Sequence, residues 1–250
     1  METLFVGQNA IYLPEVSSTN SYAIELLKNV NLIDGSVIYT THQTQGRGQR
    51  GNTWISQPGL NLATSLVIKP SFLSIKKVFY LYIISALSVH DLMAELLNSS
   101  QFDIKIKWPN DILVNSKKIA GILNENVIGN GLIQHAVIGI GININQIDFE
   151  DLQAATSLKL LSEKTFEPKT ILEKLCLCFE KRYLALKNGH YNELLNTYYT
   201  NFYKLNLEHE FELNGQKQVY VVKGINENGL LHLQNSDHID RYFDIKEIKW

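Results

Sequence analysis

Apolar residues along the chain fall mostly into short alternating runs, broken by a few longer stretches at helical spacing. Ala10 to Val16 reads as a strand that stops at Ser17-Ser18-Thr19-Asn20, after which Tyr22, Ala23, Leu26 and Leu27 repeat as one face of a helix. The hydroxyl and amide residues therefore sit at a helix start, where they can cap unpaired N–H groups or face a small polar ligand. Ser36 to Thr40 and Asn61 to Ile68 read as strands, and Ile75 to Leu97 as a long helix. Strands follow at Ile104 to Lys107, Ile112 to Val114, Lys118 to Glu125 and Leu132 to Ile144, with turns at Asn115-Ser116-Lys117 and Asn130-Gly131. Pro168 to Leu186 and Tyr191 to Tyr203 carry helical periodicity.

From Leu207 the texture changes to four short strands, Leu207 to Leu213, Gln218 to Lys223, Leu230 to Gln234 and Tyr242 to Ile248, with hairpin signals at Asn214-Gly215 and Asn228-Gly229. Tight turns between strands and few helices predict an α+β fold, a mixed central sheet covered by helices on one face. Residues 1–205 would form that domain and 206–250 a small β-barrel too small to stand without support.

Composition narrows the function classes. A formal charge of −2 gives no general attraction for nucleic acid or anionic membrane, so any basic function must be local. Cys176 and Cys178 are too few and too close for a disulfide framework, and read as reduced residues of a cytoplasmic protein. Glu2 stands where a signal peptide would be positive. Val78 to Met93 is interrupted by Ser85, Ser88, His90 and Asp91 and falls short of the roughly 20 apolar residues of a membrane span, so it reads as a buried helix.

Three segments carry candidate chemistry. In Gln43 to Trp54, Gly46, Gly48 and Gly51 free the backbone to turn N–H groups inward, while Arg47 and Arg50 offer charged forks for phosphate or carboxylate. A solvated loop between two strands is the bland alternative, and the nucleotide P-loop is excluded because a strand, not Gly-Lys-Ser/Thr and a helix, follows. Lys107-Trp108-Pro109-Asn110-Asp111 ends a strand, and Lys118 opens the next strand but one, so two ammonium groups can meet at one mouth. Asp111 beside Lys107 is either a turn residue or a Mg2+ ligand among phosphates. Gly139-Ile140-Gly141-Ile142-Asn143 lacks the third glycine and helix of a dinucleotide fold, and instead marks close approach inside a strand.

Taken in order and spacing, Ser18-Thr19-Asn20, the Gln43 to Trp54 loop, Lys107 to Asp111, Lys118-x-Ala120-Gly121-Ile122 and Gly139-x-Gly141-x-Asn143 resemble the biotin–protein ligase family. The resemblance implies a catalytic fold like that of class II aminoacyl-tRNA synthetases with a C-terminal SH3-like barrel. It implies activation of biotin by ATP with Mg2+ to biotinyl-5′-AMP, and transfer to a lysine of a biotin carboxyl carrier protein. By the same resemblance Ser18, Thr19, Asn20 and Gln43 hold the ring end of biotin, and Arg47, Gly48 and Gln49 line the adenylate phosphate. Gly46, Trp54, Gly121, Gly139 and Gly141 complete the substrate pocket, and Asn110 and Asn143 take the nucleotide side. Lys118, Arg50, Lys107 and Asp111 are the catalytic candidates, Lys118 at the activated carbonyl.

Two departures stand out: Gln49 replaces an arginine common in the family, and no tryptophan follows Asn143 to cover adenine, leaving Phe149 as the candidate. A chain that opens straight into the catalytic sheet is expected not to bind DNA, and to act as monomer or homodimer. The rivals are a lipoate or octanoate ligase or transferase of the same fold, whose signature histidine or cysteine-lysine pattern is not apparent, and a non-catalytic biotin sensor, which would lack Lys107 or Lys118. A nucleic-acid-binding protein would need a basic aromatic stripe, which is missing.

Overall fold

The computed structural model describes residues 2–98, 100–129, 132–149 and 154–250, and of Arg50 only the backbone. The expected turn at Asn130-Gly131 and the side-chain role of Arg50 therefore lie outside the described residues.

Seven strands form the main sheet in the order β1-β2-β3-β7-β6-β5-β4. They are β1 (Ala10–Tyr12), β2 (Ser36–Thr40), β3 (Leu62–Ile68), β4 (Ile104–Lys107), β5 (Asp111–Val114), β6 (Lys117–Gly129) and β7 (Leu132–Ile142). Among the described strands of this sheet, β1 and β2 pair in parallel and the other neighbours are antiparallel. Among the described residues five α-helices accompany them: α1 (Thr19–Asn29), α2 (Phe79–Leu96), α3 (Leu158–Ser162), α4 (Pro168–Lys187) and α5 (Tyr191–Thr200). The long helix expected from Ile75 is split, a 3-10 turn at Ile75–Lys77 preceding α2. The α3 turn, capped by Ser157, was not expected.

Helices lie on both faces of the sheet, which corrects the one-face expectation. Leu66 and Ile68 of β3 and Ile138, Ile140 and Ile142 of β7 join the large core with α2 and α4. Val67 and Val137, one residue out of phase, pack with Ala23 of α1 in a second cluster. Side chains alternate faces along a strand, so these two sets point oppositely. Periodicity shows that a helix has an apolar face but not which side of a sheet it will cover. Helix α2 is long and apolar enough to cross a membrane by length and composition, yet Leu81, Ile83, Ile84 and Leu87 among others are buried against its neighbours. Each such side chain contributes about 1.5–3 kcal/mol on burial.

A second sheet, β11-β10-β9-β8, comprises β8 (Glu208–Leu213), β9 (Gln216–Ile225), β10 (Leu231–Gln234) and β11 (Asp240–Phe243). The last strand is shorter than expected, and the segment 245–250 turns back toward the main sheet. Phe211, Tyr220, Val222, Leu231, Leu233 and Phe243 belong to the same core cluster as α2 and α4. The small sheet thus leans on the larger one, as its size demands. Trp108, 2% exposed, fastens the two by donating its indole N–H to the Gly229 carbonyl at 2.9 Å. Edge strand β4 is covered by the chain leading there, since Ile106 exchanges backbone hydrogen bonds with Asn201 and Tyr203.

Candidate functional site

The site lies on the α1 face of the main sheet, where the side chains shrink. Paired across β3 and β7, successive residues on that face are Val67 with Val137, Ser65 with Gly139, and Ala63 with Gly141. The first pair is covered by α1, and the last two leave a hollow. Its floor is one transverse row, because Gly141 pairs with Gly121, Gly121 with Asp111, and Asp111 with Lys107. Directly paired residues project from the same face. At about 4.8 Å per strand the row spans roughly 14 Å from Gly141 to Lys107.

A cavity of about 260 Å³ stands over this floor. The start of α1 walls one end with Ser18, Thr19 and Asn20. Ser18 is the N-cap, its hydroxyl oxygen 3.4 Å from the Ser21 N–H. Gln43 Oε1 accepts from the Thr19 amide at 2.8 Å and from its hydroxyl at 3.2 Å. That leaves the Gln43 Nε2 donors for a ligand. Asn20 is spoken for: Nδ2 donates to the Leu123 carbonyl at 3.1 Å and to Glu125 Oε2 at 2.9 Å. Ser65 Oγ lies 2.5 Å from Asn20 Oδ1 and 2.8 Å from Thr19 Oγ1, and its single proton can serve only one. A Cβ at Gly139 would collide with the Asn20 amide, so this strand needs glycine for close approach.

The glycine-arginine loop forms the lid. Gly48 donates its N–H to the Asn52 carbonyl at 2.7 Å, and Trp54 donates to Gly46 at 2.9 Å. The Gly48 N–H, one of the backbone donors expected to face an anion, is therefore used to close the loop on itself. Gly46 is buried, backs onto Trp54 and is not among the lining residues, whereas Arg47, Gly48 and Gln49 are. Arg47 donates to Ser21 Oγ at 2.9 Å and pairs with Glu125. Gln49 Oε1 is buried without a hydrogen-bond partner. The Trp54 ring rests on Gly141 and Gly121, either of which would meet it with a Cβ.

At the far end Lys118 and Asp111 form an ion pair at 2.7 Å, with the Lys118 ammonium 5.7 Å from the Trp54 ring centre. Lys107 joins them in the lining. Burial pulls the Lys107 pKa below the usual lysine value, Asp111 opposes that, and Lys118 adds to it by repulsion. Asn110 exchanges hydrogen bonds with the backbone of Ile122 at 2.9 Å, which fixes the turn. Asn143 is buried and donates its amide to the Thr156 carbonyl at 3.0 Å, so it holds a loop and does not line the cavity. Phe149 does not line it either, but Ile248, Lys249 and Trp250 do. All three tryptophans of the chain, Trp54, Trp108 and Trp250, border this one cavity.

Sequence reasoning passed over Ser65, Glu125 and Trp250. Ser65 is a polar residue on the inward phase of a largely apolar strand, a signal that could have found it, whereas Glu125 sits between Asn124 and Asn126 and carries no such mark. Nothing local marks Trp250, whose place is set by how the small sheet docks. A resident magnesium does not fit: no group of three metal-ligating side chains occurs among the described residues, and Asp111 is already taken by Lys118.

Known proteins resemble this chain in fold and sequence. A biotin protein ligase from Aquifex aeolicus, solved in complex with biotin and ATP, superimposes with a TM-score of 0.79 at 26% identity, covering 97% of this chain and 98% of that one. The bifunctional ligase/repressor BirA of Bacillus spizizenii is 36% identical over 187 residues, 73% of this chain and 56% of its own length. The chain thus spans little more than half of that relative. The biotin–[acetyl-CoA-carboxylase] ligase of Mycobacterium tuberculosis is 28% identical over 220 residues, 88% of this chain and 80% of that protein. The pattern of the biotin/lipoate A/B protein ligase family matches residues 12–143. Since that match takes in more than half of the chain and all the cavity-lining positions of the main sheet, the chain belongs to the biotin/lipoate A/B protein ligase family.

Proposed function

We propose that the protein is an ATP-dependent biotin–protein ligase, which makes biotinyl-5′-AMP and passes the acyl group to a lysine of a biotin carboxyl carrier protein. The observation that carries the reading is the single cavity in which a neutral polar end, a glycine floor and two ammonium groups lie in sequence. A cyclic urea needs donors and acceptors without charge, which Ser18 and the Gln43 Nε2 group supply. The acid's tail then runs along the floor row beside the Trp54 ring, which the bare Gly141 and Gly121 allow to rest on the sheet.

In the first step a carboxylate oxygen attacks the α-phosphorus, and the bond to the β-phosphate oxygen breaks with its electron pair leaving on pyrophosphate. Two anions must approach each other, so fixed cations lower the barrier. Lys118, Lys107 and Arg47 are within the cavity for that purpose. The ion pairs Lys118 with Asp111 and Arg47 with Glu125 hold the cations until substrate phosphates compete for them. In the second step the carrier's lysine amine adds to the acyl carbonyl and AMP departs. Residues 206–250 act as an SH3-like unit that closes the Lys107 end.

Calorimetry with biotin, and lipoate as the competing acid, tests the acid pocket. Binding of biotin with no heat from lipoate is expected, and the reverse preference would make the protein a lipoate ligase. Lys118→Ala should abolish biotin-dependent pyrophosphate release while leaving biotin binding intact. Normal release by that variant would remove Lys118 from the reaction.

A further inference from the structure

Lys107 ends β4 opposite Asp111, which would be its natural counter-ion. The carboxylate is instead 2.7 Å from Lys118, and the Lys107 ammonium makes no hydrogen bond or ion pair among the described residues. What it does face is Trp250, whose ring centre is 5.5 Å away. The ring is itself held by Phe211 at 4.9 Å, His209 at 5.5 Å and Tyr203 at 5.8 Å. Three aromatic neighbours fix one indole, and the indole fixes one cation.

Among the described residues no acid pairs directly with this ammonium; Asp111 stabilises it from a distance and is itself paired with Lys118. His209 Nδ1 accepts from the Lys204 ammonium at 3.0 Å, so the imidazole is neutral, and burial with the charges of Lys204 and Lys107 keeps its pKa below the usual histidine range. Lys249, on the same segment as Trp250, spends its charge on Glu212 at 3.0 Å. The indole N–H of Trp250 is buried with no partner among the described residues. A half-buried ammonium on the cavity lining, whose nearest acid is already paired with another cation, is complementary to a polyanion.

We propose that Trp250 is a positioning residue for Lys107, and that the ammonium it holds receives the pyrophosphate half of ATP. This rests on the adenylation reading above. In-line displacement sets the entering acid and the departing pyrophosphate on opposite sides of the α-phosphorus. The acid enters from the α1 end, and Lys107 closes the floor row at the other end. The site takes inorganic pyrophosphate in the reverse reaction, where a pyrophosphate oxygen attacks the phosphorus of biotinyl-AMP and the biotin carboxylate leaves.

The test is ATP synthesis from biotinyl-AMP and inorganic pyrophosphate. Trp250→Leu is expected to raise the KM for pyrophosphate about fivefold to tenfold, between the scales of an exposed and a fully desolvated cation–ring contact. The KM for biotinyl-AMP, calorimetric biotin affinity and acyl transfer from preformed biotinyl-AMP to the carrier should stay within twofold. Trp250→Phe keeps a ring over the ammonium and should recover most of the loss. Lys107→Met should raise the same KM at least as far, and adding Trp250→Leu to it should change nothing more. A pyrophosphate KM unchanged in Trp250→Leu overturns the proposal, and so does a rise confined to the KM for biotinyl-AMP, which would make the ring a nucleobase wall. Should Trp250→Leu fail to fold, Trp250→Phe combined with Lys107→Met, compared with Lys107→Met alone, decides it: an additive rise in the pyrophosphate KM overturns the coupling. Wild-type protein that releases pyrophosphate only with biotin present upholds the adenylation reading whichever way the variants fall.

Discussion

At the scale of single residues, the cavity is a set of charges held in reserve. Gln49 lines the cavity and buries an oxygen that has no hydrogen-bond partner among the described residues. Replacing it with arginine adds a cation there, so Gln49→Arg should slow escape of the adenylate, measured as reduced labelling of bystander lysines. Equal labelling would mean that retention is set elsewhere. Lys107 gives a pH signature. Its folded pKa is below the unfolded one, so the charged form is lost as pH rises through the folded value, and pyrophosphate exchange should fall with it. Between the two values the unfolded chain binds more protons, so stability should rise with pH in that window while activity declines. Exchange rates and melting temperatures over the alkaline range check both, and Lys107→Arg should move the activity limb upward. What sequence disclosed here was whatever chemistry is local. Ser18 was legible because capping acts within one turn, and Gly139 and Gly141 because glycine in an apolar strand is anomalous. Glu125 was not, because its partners Asn20 and Arg47 belong to two distant segments.

At the scale of elements, site and strand are built by the same alternation. Strand β7 carries Ile138, Ile140 and Ile142 to the large core and Gly139 and Gly141 to the cavity. Gly139→Ala would press a methyl group into the Asn20 amide, which is pinned by Leu123, Glu125 and Ser65. Overpacking of this kind costs about 1–3 kcal/mol. Biotin affinity by calorimetry should drop with it, and an unaltered affinity would show that Asn20 can shift freely. The strands and the α1 and α4 helices were legible from periodicity, since each has one clear period over its length. The placement of α1 alone on its face was not, though it is what leaves the cavity open.

At the scale of the whole molecule, the two sheets share one hydrophobic core and one fastening at Trp108. Such a shared core predicts a single cooperative unfolding transition, which calorimetry would show, and two separate transitions would contradict it. Trp108→Phe strands the buried Gly229 carbonyl at a cost of about 1–3 kcal/mol. Amide exchange in 206–250 should then quicken and pyrophosphate exchange weaken together, because the segment 245–250 carries Trp250 into the cavity. The division into sheets was visible in the change of texture at Leu207. Their contact was not, since it is made by a tryptophan that the local pattern reads only as part of a turn.

With every indole of the chain bordering one cavity, light absorbed selectively by tryptophan is emitted from that cavity and nowhere else. The twelve tyrosines are spread over the remainder and would report on the scaffold. The unlabelled protein is thus its own optical probe, one colour for occupancy and another for folding.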